Sequence, residues 1–380
     1  MWGGRRRSWQ DGNLRQDPGD YFPSTLKIGI YIDFQLLSEM IEKEKLAGAA
    51  RALGEYLAPV DPDEFEAETG IRGDDFREIV PQEFDGRIFA IDGSNVVVFD
   101  LGAVSLNRIR AGYVVYRGTE WEKTAITCDD LFVADRENYS QHFNRYRKGI
   151  FDIEEPFELQ SKEELDRMAT FYRDLQEHVA LFEAVLEAEA GDVVLYDGGF
   201  SLWREPYHRE VFDRIFERAG ERGVDLLAIS KSSQLSWGRG IARPLLRSVD
   251  RVGCAAVPGS PWLVRLSGRR AMREEPWGGE TFAARLHPGS THAFRVDAPG
   301  RTAGSIDEIL GRIAFYSRSS ESPGYPHALF RAHQEMKIPI QERNFTRLSL
   351  FEELRGLGFS DGEVRGALDY HEILDSIKRR

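Results

Sequence analysis

The order of apolar runs and the residues that stop them constrains this chain most. Phe89-Ala90-Ile91 stops on Asp92-Gly93-Ser94, Val194-Leu195-Tyr196 on Asp197-Gly198-Gly199, and Ala228-Ile229-Ser230 on Lys231. Short, dense apolar runs of this kind read as buried strands. Before the second run, Met168, Tyr172, Leu175, Val179, Phe182 and Leu186 recur three or four residues apart, which predicts a helix beginning near Ser161. Ser161 and Glu164 fit its capping box, with Leu165 the first apolar position. A second helix, Arg209 to Gly223, separates the second run from the third. Helix-then-strand order marks crossover units with parallel pairing, so the chain is expected to be α/β.

Other segments fill in around this core. The spacing predicts a helix or helix pair from Ile30 to Leu57, after a flexible arm over residues 1–24. Asn95 to Asp100 and Arg110 to Arg117 read as antiparallel strands following Arg87 to Asp92 in a meander. Pro261 to Leu266 and Ala293 to Asp297 read as further strands. Ser305 to Tyr316, Ala328 to Lys337, Leu348 to Gly356 and Asp361 to Ile377 read as helices. The stretch 118–160 yields no clear assignment.

The chain has 380 residues, enough for a large elaborated α/β domain, and its formal net charge is −13. That balance argues against a protein coating nucleic acid over its whole surface, and leaves room for a basic groove in an acidic body. An apolar fraction of 41% excludes a disordered chain. Cys128 and Cys254 stand far apart without a CxxC or Cys/His cluster, so no zinc site or disulfide framework is suggested and a reducing cytoplasm is expected. Arg5, Arg6 and Arg7 lack the apolar stretch of a secretory signal, and no apolar run of ~18 residues suggests a membrane span.

Chemistry gathers at strand ends in α/β sheets, where the rigid sheet fixes a side chain beside an open loop. Each Asp-Gly pair alone is also compatible with an Asx turn. Brought together, Asp92 and Asp197 would repel, and a divalent cation between them is the natural compensation. His333 shares a helical face with Leu329 and Met336 and so points inward, as either a core histidine or a ligand. Arg239, Arg243, Arg247 and Arg251 form a basic stripe after Lys231 and Trp237. Pro244 suits a helix start, placing Arg247 and Arg251 on one face, either solvated or contacting phosphates.

Several of these residues form an ordered series: Ile91-Asp92-Gly93-Ser94, Arg173 with Glu177, Leu195-Tyr196-Asp197-Gly198, Ile229-Ser230-Lys231, then Gly324-Tyr325-Pro326 with Leu329 and Ala332-His333. From about residue 86 to 340, the series resembles the NurA family of DNA-end-processing nucleases. The resemblance implies a ribonuclease H-like mixed sheet core with helical insertions and helical N- and C-terminal additions, in a single domain over residues 25–380. It further implies a Mn²⁺- or Mg²⁺-dependent nuclease acting 5′-to-3′ on DNA ends and on single strands. The implied partners are a second copy in a homodimer and a HerA-type hexameric translocase in recombinational repair.

Carried over residue by residue, Asp92, Asp197 and Glu177 match the family's acidic metal ligands. Tyr325 and His333 match its C-terminal motif, His333 as a further ligand, and Lys231 matches a lysine near the reaction centre. Glu177 lies about 160° round the helix from Leu175, beside Arg173, Ala180 and Ala184. It is thus either a solvated glutamate, with Glu183 as the alternative ligand, or one facing the sheet past small neighbours. Gly199-Phe200 departs from the small-residue-plus-Leu pair common in the family. Carboxylates with an imidazole suit Mn²⁺ or Mg²⁺, and two ions ~4 Å apart would activate water and stabilise the leaving oxygen. Lys231, with Tyr325, would offset charge on the phosphate. Two other classes fit the same core: an actin-like or sugar-kinase-type phosphotransferase using the Asp-Gly turns for nucleotide, and a non-catalytic DNA-binding adaptor.

Overall fold

The computed structural model describes residues 34–102, 104–154, 167–200, 206–231, 233–238, 242–270, 277–319 and 321–367. The arm at 1–24, the Ser161/Glu164 capping box, Leu165 and Arg239 lie outside them. The chain divides into two compact units, Met1–Leu57 and Ala58–Arg380. In the first, α1 (Phe34–Leu57) exposes Leu46, Leu53, Tyr56 and Leu57. No helix among the described residues is long and apolar enough to cross a membrane.

The second unit is a mixed α/β body. It opens with α2 (Pro62–Thr69), capped by the Asp61 carboxylate, which accepts the Asp63 and Glu64 N–H groups. A 3₁₀ turn, Gly73–Asp75, and β1 (Arg77–Glu78) follow. The meander is β2 (Arg87–Asp100), β3 (Ser105–Arg117) and β4 (Glu120–Ala134). Then come α3 (Arg136–Phe151), α4 (Met168–Glu187), β5 (Val193–Tyr196), α5 (Pro206–Arg222) and β6 (Asp225–Ser230). A two-stranded ribbon of β7 (Ser236–Trp237) and β8 (Arg243–Pro244) leads into α6 (Leu245–Ala256). The remainder is β9 (Trp262–Arg265), β10 (Gly279–Arg285), β11 (Phe294–Pro299), α7 (Gly300–Ala303), α8 (Ile306–Phe315), α9 (His327–Met336), α10 (Ile340–Gly356) and α11 (Asp361–Ala367).

Among the described residues, nine strands form one sheet in the order β1-β9-β10-β11-β6-β5-β2-β3-β4. The crossover expectation holds where it was made. β2 pairs parallel with β5 from Ile88↔Val193 to Ile91↔Tyr196, and β5 pairs parallel with β6 from Val193↔Asp225 to Tyr196↔Ala228. The other pairings are antiparallel. Alternate residues of each strand face opposite layers. Phe89, Ile91, Val194, Tyr196, Leu226 and Ala228 pack toward α4 and α5, whereas Ile88, Ala90, Leu195 and Ile229 pack toward α8 and α9.

The structure departs from the sequence reading at several points. Arg87 to Asp92 and Asn95 to Asp100 are one strand, because Asp92↔Gly112, Gly93↔Ala111 and Ser94↔Arg110 stay in the ladder with β3. The Asp92-Gly93 stop is therefore no turn. The unassigned stretch 118–160 supplies β4 and α3, and β10 was also unforeseen. Helix α10 starts at Ile340, behind Pro339, well ahead of Leu348, and buries no residue, so its first turns carry no apolar periodicity to read.

Candidate metal centre

Strand alternation sorts the site into two sides. Asp92 continues the Ile88–Ala90 series and faces the α9 layer, where its Oδ2 meets His333 Nδ1 at 2.8 Å. Its Oδ1 accepts the Gly93 N–H at 2.8 Å. Asp197 follows the last residue of β5, its N–H still donating to the Ile91 carbonyl at 3.4 Å, which extends the parallel ladder by one bond. Lys231, just past β6, reaches Asp197 Oδ2 with Nζ at 2.5 Å. Single ligand atoms of Asp92, Asp197 and His333 lie within 4.8 Å of one another. They form a mixed oxygen and nitrogen donor set at the junction of β2, β5 and α9.

His333 corrects one expectation. Leu329 and Met336 on its helix are buried, but the histidine side chain is 49% exposed and sits at the rim of the site rather than in the core. Its partner is a carboxylate, which a satisfied apolar-core histidine would lack.

Tyr325 precedes α9 and lies under Lys231, whose ammonium stands 5.2 Å from the ring centroid. The residue is 8% exposed, and its hydroxyl is buried without a partner at hydrogen-bonding geometry. Burial, then the charges of Asp197 and Asp92, raise its pKa, so it stays a neutral donor at any working pH. Burial also raises the pKa of Asp197, against the pull of Lys231 and with a further push from Asp92.

Glu177 comes from the opposite side. It is buried beneath β2, accepts the Tyr196 hydroxyl at 3.1 Å and pairs with Arg173 Nε at 3.3 Å. A Cβ at Gly93 would sit 2.6 Å from Glu177 Cγ and Oε1, so the glycine makes room for this carboxylate. Burial foremost, opposed by Arg173 and reinforced by Asp174 and Asp92, raises the Glu177 pKa well above the usual range. Glu177 is thus not a solvated glutamate, and Glu183 is the exposed one. Glu177 lies near Asp92 but outside the trio of closely approaching ligand atoms.

The arginine stripe lies elsewhere. Arg243 stacks over Trp237 at 5.3 Å and pairs with Glu64 at 3.4 Å, while Arg251 donates to the Ala58 carbonyl at 2.9 Å. Arg247 and Arg251 are exposed on α6, which packs against β9 and β10. β10 stands four strand positions from β2, about 19 Å across the sheet at ~4.8 Å per strand. Ser94 went unremarked as a site residue: its hydroxyl donates to the Met336 carbonyl at 2.5 Å and ties β2 to the end of the His333 helix. No sequence signal marks such a bond, since any serine can make it.

The family model of the NurA domain matches residues 86–338. The chain belongs to the NurA family. All six site residues, from Asp92 to His333, fall inside the matched NurA domain, whereas α1, α10 and α11 fall outside it. Among solved structures, the NurA nuclease from Sulfolobus solfataricus is similar at 15% identity, over 86% of this chain and 98% of that one, with a TM-score of 0.49. A NurA structure with manganese is similar at 11% identity, over 82% and 98% of the two chains, with a TM-score of 0.49. No curated protein matches the chain.

Proposed function

We propose that this protein is a divalent-metal-dependent deoxyribonuclease that hydrolyses phosphodiester bonds at DNA ends and in single strands. The observation that carries the reading is the convergence of Asp92, Asp197 and His333, with ligand atoms within 4.8 Å of one another. The site fits a cation on its own chemistry. Carboxylates sharing a site repel unless protonated or bridged by positive charge. The Tyr325 hydroxyl, buried beside Asp197, is a neutral donor within the site. Asp92 and Asp197 would hold the ion by oxygen and His333 by nitrogen, a set that favours Mn²⁺ over Mg²⁺. When bound, the ion supplies Lewis acidity at a phosphoryl oxygen and a more acidic water.

The protein's own groups have separable tasks. Lys231, 44% exposed and bonded to Asp197, orients that carboxylate and presents positive charge to a phosphate. Tyr325 donates from beneath, toward the phosphate or Asp197. Glu177, behind Gly93, adds a third carboxylate that either supports Asp92 or enters coordination of a second ion. His333 stands at the opening, where a strand end would arrive.

Membership in the NurA family supports the finer reading: a ribonuclease H-like core, 5′-to-3′ exonuclease and single-strand endonuclease activity, a homodimer, and a HerA-type translocase as partner in end resection in the cytoplasm. A phosphotransferase is disfavoured, because Asp92-Gly93-Ser94 lies within a continuous strand and offers no phosphate-binding turn. The test is cleavage of end-labelled single- and double-stranded DNA with Mn²⁺, Mg²⁺ or EDTA. Cleavage with Mn²⁺ that EDTA stops is expected. ATP-dependent phosphorylation without cleavage, or DNA binding alone, would replace this function with one of its rivals.

A further inference from the structure

We infer that Asp297 is a positioning residue of the metal centre, its carboxylate clamping the loop that carries Asp197. This rests on the metal-centre reading above. Asp297 lies on β11 and is 1% exposed. Its Oδ1 accepts Thr281 Oγ1 and Arg295 Nε, both at 2.9 Å. Its Oδ2 accepts the backbone N–H of Phe200 at 2.9 Å.

The same short loop is held from a second side. The Ser230 hydroxyl donates to the Gly198 carbonyl. A Cβ at Gly199 would come 3.2 Å from Asp297 Oδ2 and 3.4 Å from Ser230 Oγ, so the loop runs tightly between the two clamps. Phe200 then stacks on Tyr196 with centroids 5.9 Å apart and planes 6° from parallel. The segment from Asp197 to Phe200 is thus fixed by bonds at both polarities of its backbone.

Strand alternation explains why this matters for the metal. Asp92, Asp197 and Lys231 turn to the α9 side, whereas Ser230 and Asp297 sit on the opposite side of the same strand ends. Asp297 acts on Asp197 only through the backbone. Arg295 and Thr281 both bond Oδ1, so the Phe200 N–H serves the other oxygen of the buried carboxylate and the loop and Asp297 hold each other. The bond to Phe200 adds a fixed loop geometry to that pair. The Gly199-Phe200 pair is therefore matched to this clamp.

Asp297→Asn keeps the shape but leaves one acceptor oxygen for three donors. Arg295 and Thr281 claim that oxygen, and the amide NH₂ then opposes the Phe200 N–H. Mn²⁺ affinity, read from the loss of the free-ion electron paramagnetic resonance signal, should weaken about tenfold, the lower end for residues supporting metal ligands. Thr281→Val removes a bond to Oδ1 that does not reach the loop, and should lower the melting temperature while leaving Mn²⁺ affinity near wild type. Should Asp297→Asn fail to fold, Ser230→Ala releases the other clamp and should weaken Mn²⁺ binding by itself. Wild-type affinity in Asp297→Asn, or in Ser230→Ala where the first variant is unfolded, overturns the inference. So does an equal loss in Thr281→Val. A wild-type protein that binds no Mn²⁺ refutes the metal centre instead.

Discussion

Asp92 presses on two other acids at once: its charge raises the pKa of Glu177 on one side of β2 and of Asp197 on the other. Burial is the larger cause at both, and a cation held by Asp92 and Asp197 would lower the cost of keeping these carboxylates charged. Asp92→Ala or Asp197→Ala should abolish metal-dependent cleavage with an unchanged circular dichroism spectrum, and full activity in either variant would remove them from the site. Gly93→Ala forces a Cβ against Glu177, and overpacking of this kind costs about 1–3 kcal/mol. A thermal melt should show that loss, whereas an unchanged melting temperature would mean that Glu177 moves aside freely. At this scale the sequence was informative about residue types. Asp92, Asp197 and Lys231 stood out because acidic or basic stops on apolar runs are costly without a use, whereas Tyr325 was named only through the family resemblance. Gly93 was misread as a turn, since nothing in sequence shows that a helix-borne carboxylate lies opposite it. His333 was read as inward from its helical face, which cannot register that Asp92 on β2 holds this side chain at the exposed rim of the site.

At the scale of elements, an ion cluster fastens α10 to the far end of the meander. Arg108 and Arg110 on β3 share Asp129 on β4, at 3.0 and 2.9 Å, and Glu342 on α10, at 2.8 and 2.6 Å. Burial pushes the Asp129 carboxyl up, but the two guanidiniums outweigh it and hold the pKa below the usual value. A group depressed in the folded state stabilises above its unfolded pKa, about 3.9, and that contribution is lost as pH falls through the folded value. Asp129→Asn should therefore be less stable than wild type at pH 7, with the two melting temperatures converging below about pH 4. A difference independent of pH would show that the cluster acts through packing alone. These were the least legible elements. β4 is an edge strand whose first half, Glu120-Trp121-Glu122-Lys123-Thr124, has no apolar run, and α10 only half-buries Leu350, Phe351 and Leu354, near its C-terminal end. Core strands β2, β5 and β6 were legible because both faces are covered, which forces a dense apolar signal.

For the whole molecule, a net charge of −13 means that the proposed DNA substrate would have to meet a local basic surface. Lys231 offers charge at the candidate site, whereas Arg247 and Arg251 lie exposed on α6, which packs on the opposite face of the sheet at β9 and β10, so a phosphate contact there would be separate from the site. Replacing both arginines with alanine should flatten the slope of log binding constant against log salt by roughly 1.4–1.8, at 0.7–0.9 per phosphate contact. An unchanged slope would make α6 a solvated face. The most direct test of the account is the anomalous scattering of a crystal soaked in Mn²⁺. A peak within about 2.2 Å of carboxylate oxygens from both Asp92 and Asp197, with His333 nitrogen on the same ion, is expected. No peak there, or a manganese ion held only by other residues, would contradict it.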